Sequence, residues 1–158
     1  MGKDKQGKKP KSKPLPGSFK RPVVRSEAPA GKQPRGIPDP DRSQELMAWR
    51  LSALDLDGPW GSDKLNAATM RTIHDKMCWF ESMTANEVFG PNVGHKRIPV
   101  ESLRPDAQQR LQQIERDDVD ELWELRLWGA PRLWGFRQGN VFHALWWDPD
   151  HTVCGGGR

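Results

Sequence analysis

The 158 residues carry 35% hydrophobic and 29% charged side chains with a net charge of +4, enough chain for one ordinary domain plus extras but not for two. Two cysteines, Cys78 and Cys154, exclude a disulfide framework, and no apolar run reaches the roughly 18 residues of a membrane span. The basic N-terminus lacks the apolar segment of a secretory signal, so a soluble, cytoplasmic protein with reduced thiols and no membrane partner is expected.

The charge is unevenly spread. Residues 1–42 hold eight of the 14 prolines, five of the 15 glycines and a single aromatic, Phe19. They carry twelve Lys or Arg against Asp4, Glu27, Asp39 and Asp41, a net of +8. Residues 43–158 carry thirteen basic and seventeen acidic groups, a net of −4, and all eight tryptophans. The first segment cannot bury enough apolar surface to offset the entropy of ordering it, and is expected to be a disordered, basic, proline-rich tail. Its lysines, among them Lys8, Lys9, Lys11 and Lys13, suit a salt-sensitive arm for RNA or a solubilising extension. Residues 43–158 are expected to form one α+β domain.

Along that domain, residues 48–54 alternate imperfectly and suit a first strand or a short helix, stopped by Asp57-Gly58-Pro59. Ser62 or Asp63 is placed to cap a helix running to about Met77, with Met70, Ile73, Met77 and Phe80 at helical spacing and Cys78 in the core. Thr84-Ala85-Asn86-Glu87 has the spacing of a capping box, and residues 90–94 read as a loop. A further helix begins between Ser102 and Pro105 and buries Leu103, Ala107, Leu111 and Ile114.

From Val119 the period shortens to two. Three strands, joined by turns at Gly129-Ala130-Pro131 and Gln138-Gly139-Asn140, form a meander spanning 119–153. The fold class expected is therefore α+β, with two or three helices on one side of a three- or four-stranded antiparallel sheet. Trp123, Trp134 and Trp147 read as one core face, and Trp128 and Trp146 as residues of the opposite face.

The order helix, helix, then a meander reading E-L-R-L-x-G-x-x-R-L-x-G-F resembles the small RelE/ParE/YoeB-like toxins of bacterial toxin–antitoxin modules. The ending Gly139-Asn140-Val141-Phe142-His143-Ala144-Leu145-Trp146-Trp147-Asp148-Pro149-Asp150-His151 is similar to bacterial proteins related to that superfamily. The resemblance implies a messenger-RNA interferase, often acting on the ribosome, or a gyrase poison, with an antitoxin protein as partner. It also implies that Arg132 contacts the scissile phosphate, that Arg126 is a second basic group, and that His151 stands for a late histidine. Two departures stand out. Interferase bodies are usually basic, and this chain has no tyrosine to supply the late hydroxyl of several members.

RNA cleavage of this kind needs no metal and no cofactor. A histidine or carboxylate moves protons, and arginines stabilise the phosphorane. Glu124, Arg126, Arg132, Arg137, His143 and His151 supply those types on or beside one sheet, with Arg137 a candidate RNA contact and Glu124 or His151 the proton-handling group. A two-residue turn puts Arg132 on the face of Leu125 and His143; a three-residue turn including Pro131 puts it with Glu124 and Arg126. His143 mid-strand suits a structural role, and His143, His151 and Cys154 lack the spacing and fourth ligand of a zinc site. The alternative function is a non-catalytic module of the same fold that binds protein or RNA.

Overall fold

The computed structural model describes residues 41–155. The tail expected over 1–42, including Lys8, Lys9, Lys11 and Lys13, lies outside them apart from Asp41 and Arg42. No helix among the described residues is long and apolar enough to cross a membrane.

The sheet has five strands in the order β1-β5-β4-β3-β2: β1 Ala48–Arg50, β2 Lys96–Pro99, β3 Glu121–Arg126, β4 Arg132–Gln138 and β5 Val141–Asp148. β2 to β5 pair antiparallel, whereas β1 runs parallel to β5 with Ala48 opposite Val141. The sheet is thus mixed, where three or four purely antiparallel strands were expected. The β3-β4-β5 meander is present, and β1 and β2 extend it at both edges. β2 offers one inward apolar residue, Ile98, between Lys96, Arg97 and Pro99, so alternation alone could not mark it.

Helix α1, Ala67–Glu81, is capped by Asn66, whose side chain accepts from the Thr69 N–H, three or four residues later than the cap expected at Ser62 or Asp63. Residues 62–64 form a separate 3₁₀ turn. In α2, Ala85–Phe89, Thr84 and Glu87 close the expected capping box. Helix α3, Pro105–Gln113, opens on proline and buries Ala107 and Leu111.

Helices cover both faces of the sheet, not one. On one face Ile73 and Phe80 of α1 and Val88 and Phe89 of α2 pack on Leu125, Leu133, Phe142 and Ala144. On the other, Leu103, Ala107 and Leu111 pack with Trp60 on Leu122, Trp134, Phe136, Leu145 and Trp146. A β-bulge sets the second face. Trp134 pairs with Trp146 but Gly135 pairs with Ala144, which leaves Leu145 as the extra residue and turns both Leu145 and Trp146 toward α3. A Cβ on Gly135 would overlap the His143 carbonyl and the Phe142 ring, so the bulge requires glycine. Consequently Trp146 is fully buried rather than surface-facing, and Trp134 lies on the face opposite Trp123. Trp128 is exposed and leans on Trp147. Cys78, expected in the core, is exposed on α1.

Candidate functional site

The β3-β4 turn decides the facing that alternation left open. Arg126 sits opposite Arg132, and Glu124 opposite Trp134, so Glu124, Arg126 and Arg132 share the face covered by α3. Five residues, 127–131, separate the paired arginines, and Pro131 belongs to the turn.

Glu124 is the centre of the group. Its carboxylate is 3% exposed and accepts from Arg132 Nε at 2.7 Å. Arg126 Nε lies 3.8 Å from Oε1, and His151 Nε2 lies 3.4 Å from Oε2. The four candidate catalytic residues read from the sequence therefore meet around one carboxylate. They differ in access: Arg126 is 44% and His151 31% exposed, while Arg132 is 7% exposed.

Arg132 is also heavily engaged. Its Nη1 donates to the carbonyls of Gly129, Ala130 and Pro131 at 2.7, 2.8 and 3.1 Å. A guanidinium that ties a buried carboxylate to the carbonyls of a turn holds the shape of the β3-β4 corner, and little of its fork faces outward. His151 reaches Glu124 from the turn after β5 with a left-handed backbone, φ +58. That turn is fixed by Asp148, whose buried carboxylate accepts from Trp134 Nε1, from the Thr152 N–H and hydroxyl, and from the Val153 N–H.

Three basic groups, Lys96, Arg126 and Arg104, lie along this side. Lys96 pairs with Glu124 in register, and Arg104 N donates to Val153 O. Cys154 sits close by; burial first, then the Glu124 and Asp148 carboxylates, push its thiol pKa up, so it is no nucleophile at neutral pH. Beside the 148–152 turn is a cavity of about 410 Å³ lined by Trp60, Arg104, Asp106, Trp147, Asp150 and Thr152 among others.

Arg137 does not join the group. It lies on the opposite face with its guanidinium 5.3 Å from the Phe89 ring and 5.8 Å from the Trp123 ring. His143 stacks on Phe136 with 4.6 Å between centroids and is held down to a pKa of about 4 by burial, with Arg50 and Arg116 adding to it. Among the described residues no three His, Cys, Asp or Glu side chains are placed to share a metal ion.

Sequence reasoning missed His95. Its Nδ1 accepts the Arg126 N–H at 3.0 Å, fixing the end of β3, and its ring packs between Phe80 and Phe89. Burial, then the charges of Lys76 and Arg126, lower its pKa to about 4. No spacing flagged it, because its partner is a backbone amide on a strand 31 residues away. Comparison with protein families, with curated proteins and with solved structures gives no match.

Proposed function

We propose that this chain is a RelE-like, metal-independent endoribonuclease in which Arg126 and His151 touch RNA and the Glu124–Arg132 pair positions them. The observation that carries the reading is the meeting of Arg126, Arg132 and His151 around the buried Glu124 carboxylate. With Glu124 Oε2 beside its Nε2, His151 favours the Nε2-protonated tautomer and leaves the Nδ1 lone pair for the 2′-hydroxyl proton. The 2′-oxygen attacks phosphorus and the bond to the 5′-oxygen breaks. The products are a 2′,3′-cyclic phosphate and a 5′-hydroxyl, whose proton comes from water. Arg126 stabilises the crowded phosphorane. In this reading the ribosome presents the message, and an antitoxin protein is the neutralising partner.

One observation favours the second reading, a non-catalytic RNA- or protein-binding module. Arg132, the group that the resemblance assigns to the phosphate, already donates to Glu124 and three carbonyls. A cleavage assay on messenger RNA, with and without ribosomes, separates the two. Wild type should cleave, and Arg126→Ala should lose about 10²–10³-fold in rate with its melting temperature unchanged. Intact RNA in both wild-type arms, with binding retained, would establish the module instead.

A further inference from the structure

The cavity of about 410 Å³ beside the 148–152 turn is not used by the groups around Glu124, yet it shares a wall with them. Asp148, Pro149, Asp150 and Thr152 face the cavity, while His151, in the same turn, reaches Glu124. Its size lies within the range that holds a small ring ligand.

The walls are tied together before any ligand arrives. Trp60 Nε1 donates to Thr152 Oγ1 at 2.8 Å, Trp147 N donates to Trp60 O at 3.0 Å, and Arg104 N donates to Val153 O at 3.1 Å. These bonds join the loop before α1, the end of β5 and the start of α3. The apolar surface comes from Trp60, Trp147 and Pro149.

The polar groups are of both signs. Asp106 is taken: it accepts from Arg104 Nη2 at 2.9 Å and from the Ala107 N–H. Arg104 keeps its remaining N–H donors and is 45% exposed. Asp150 is exposed, and its carboxylate is unpaired among the described residues. The cavity therefore offers a cationic fork and a separate carboxylate between apolar walls.

We infer that this cavity binds a nucleobase, and that the base is guanine. Guanine carries paired acceptors, O6 and N7, that suit an arginine fork, and paired donors, N1–H and the N2 amino group, that suit a carboxylate. Adenine and uracil lack both of those pairs, and cytosine lacks the paired donors. The shared turn would place the sugar and phosphate of that nucleotide toward His151 and Arg126. The inference rests on the RNA-cleaving reading only for what the bound base accomplishes; selectivity of the cavity is measurable without cleavage.

The test uses the full chain and the four nucleoside 5′-monophosphates, followed by amide and indole N–H spectra. Guanosine monophosphate should bind at least about tenfold more tightly than the other three, matching the loss of one or both bidentate pairs. Its shifts should centre on the Trp60 indole, Gly61, Asp150 and Thr152. Asp150→Asn and Arg104→Gln, both exposed changes, should each reduce that preference about tenfold. Equal binding of all four, or shifts confined to other surfaces, would overturn the inference. The two readings fail separately. RNA cleavage without dependence on guanine removes the base site and keeps the nuclease, whereas guanine-selective binding by a chain that cuts no RNA removes the nuclease and keeps the base site.

Discussion

Arg132 and Glu124 form a buried ion pair, 2.7 Å apart, 7% and 3% exposed, at the corner where β3 turns into β4. Removing one member of such a pair strands the other charge in a poorly solvated place, which costs about 3–5 kcal/mol. Arg132→Ala should therefore lower the urea midpoint sharply, and Glu124→Gln should do the same although it removes no volume. The double variant Glu124→Leu/Arg132→Met should recover a large part of the loss, because no charge is left unpaired. Additive losses in that double-mutant cycle would show that the two residues do not act as a pair. Arg132→Ala is accordingly a poor test of catalysis, since lost activity and lost fold would arrive together.

His151 gives a cleaner test. Its backbone is left-handed, φ +58, a region where a residue other than glycine costs about 1–2 kcal/mol and where asparagine is tolerated best. His151→Asn should thus hold the turn with stability within about 0.5 kcal/mol of wild type. It removes the proton acceptor, and RNA cleavage should fall about 10²–10⁴-fold. A stable His151→Asn protein that cleaves at the wild-type rate would sink the role given to this histidine.

A second buried carboxylate, Asp55, joins the loop before α1 to α3 and β5. It accepts from Arg110 Nε and Nη2 at 2.7 and 2.6 Å, from Trp146 Nε1 at 3.1 Å and from the Gly58 N–H at 3.2 Å. Burial alone would raise its pKa, but the Arg110 fork and the Trp146 indole outweigh it and hold the carboxyl below the usual range. A Cβ on Gly58 would collide with that carboxylate. Asp55→Ala should cost about 3 kcal/mol by chemical denaturation, and Gly58→Ala should also destabilise. The Asp55→Ala loss should exceed that of Asp106→Ala at the exposed pair with Arg104, which is worth about 1 kcal/mol or less. Equal losses would show that burial of the Asp55 pair contributes nothing.

How far the sequence revealed this molecule depended on whether a feature was local. The Thr84 box, the Pro105 helix start and the β3-β4-β5 meander are set by neighbours in the chain, and each stands where its signal pointed. The β1 pairing with β5 joins Ala48 to Val141, a contact that no window of residues contains. The facing of Trp146 depended on a bulge at Gly135, where one extra residue reverses the alternation that placed the indole outside. A signal for burial on both faces was nonetheless present. The run Ala144-Leu145-Trp146-Trp147 is continuously apolar, as strands covered on both sides are. At the candidate site the residue types were legible but their roles were not. Only the pairing register shows that Arg132 faces Glu124, and only the turn carbonyls show how much of its fork is occupied. Asp55 and Asp148 went unread because acidic residues near turns ordinarily mark surface loops, whereas here both bind buried indoles.

Two histidines, His143 buried and His95 half-buried, should make stability depend on pH between about 6.5 and 4. His143 and His95 each have a folded pKa of about 4 against an ordinary value of 6.5. A histidine with a depressed folded pKa binds its proton more readily in the unfolded chain. Stability from keeping it neutral is therefore complete above about pH 6.5 and is lost as pH falls toward about 4. By pH 5 the loss from His143, which is 3% exposed, should be on the order of 2 kcal/mol. The Asp55 carboxyl adds almost nothing between pH 7 and pH 5, because with an ordinary value of 3.8 it is ionised in the unfolded chain there too; its contribution is lost only at lower pH. In His143→Phe the ring that stacks on Phe136 is kept but cannot take a proton. Whatever its stability at pH 7, the drop in urea midpoint between pH 7 and pH 5 should shrink markedly relative to wild type, with the remainder assigned to His95. An unchanged pH dependence in His143→Phe would show that His143 is not held neutral by its burial, and the same comparison at His95 would then identify which histidine carries the slope.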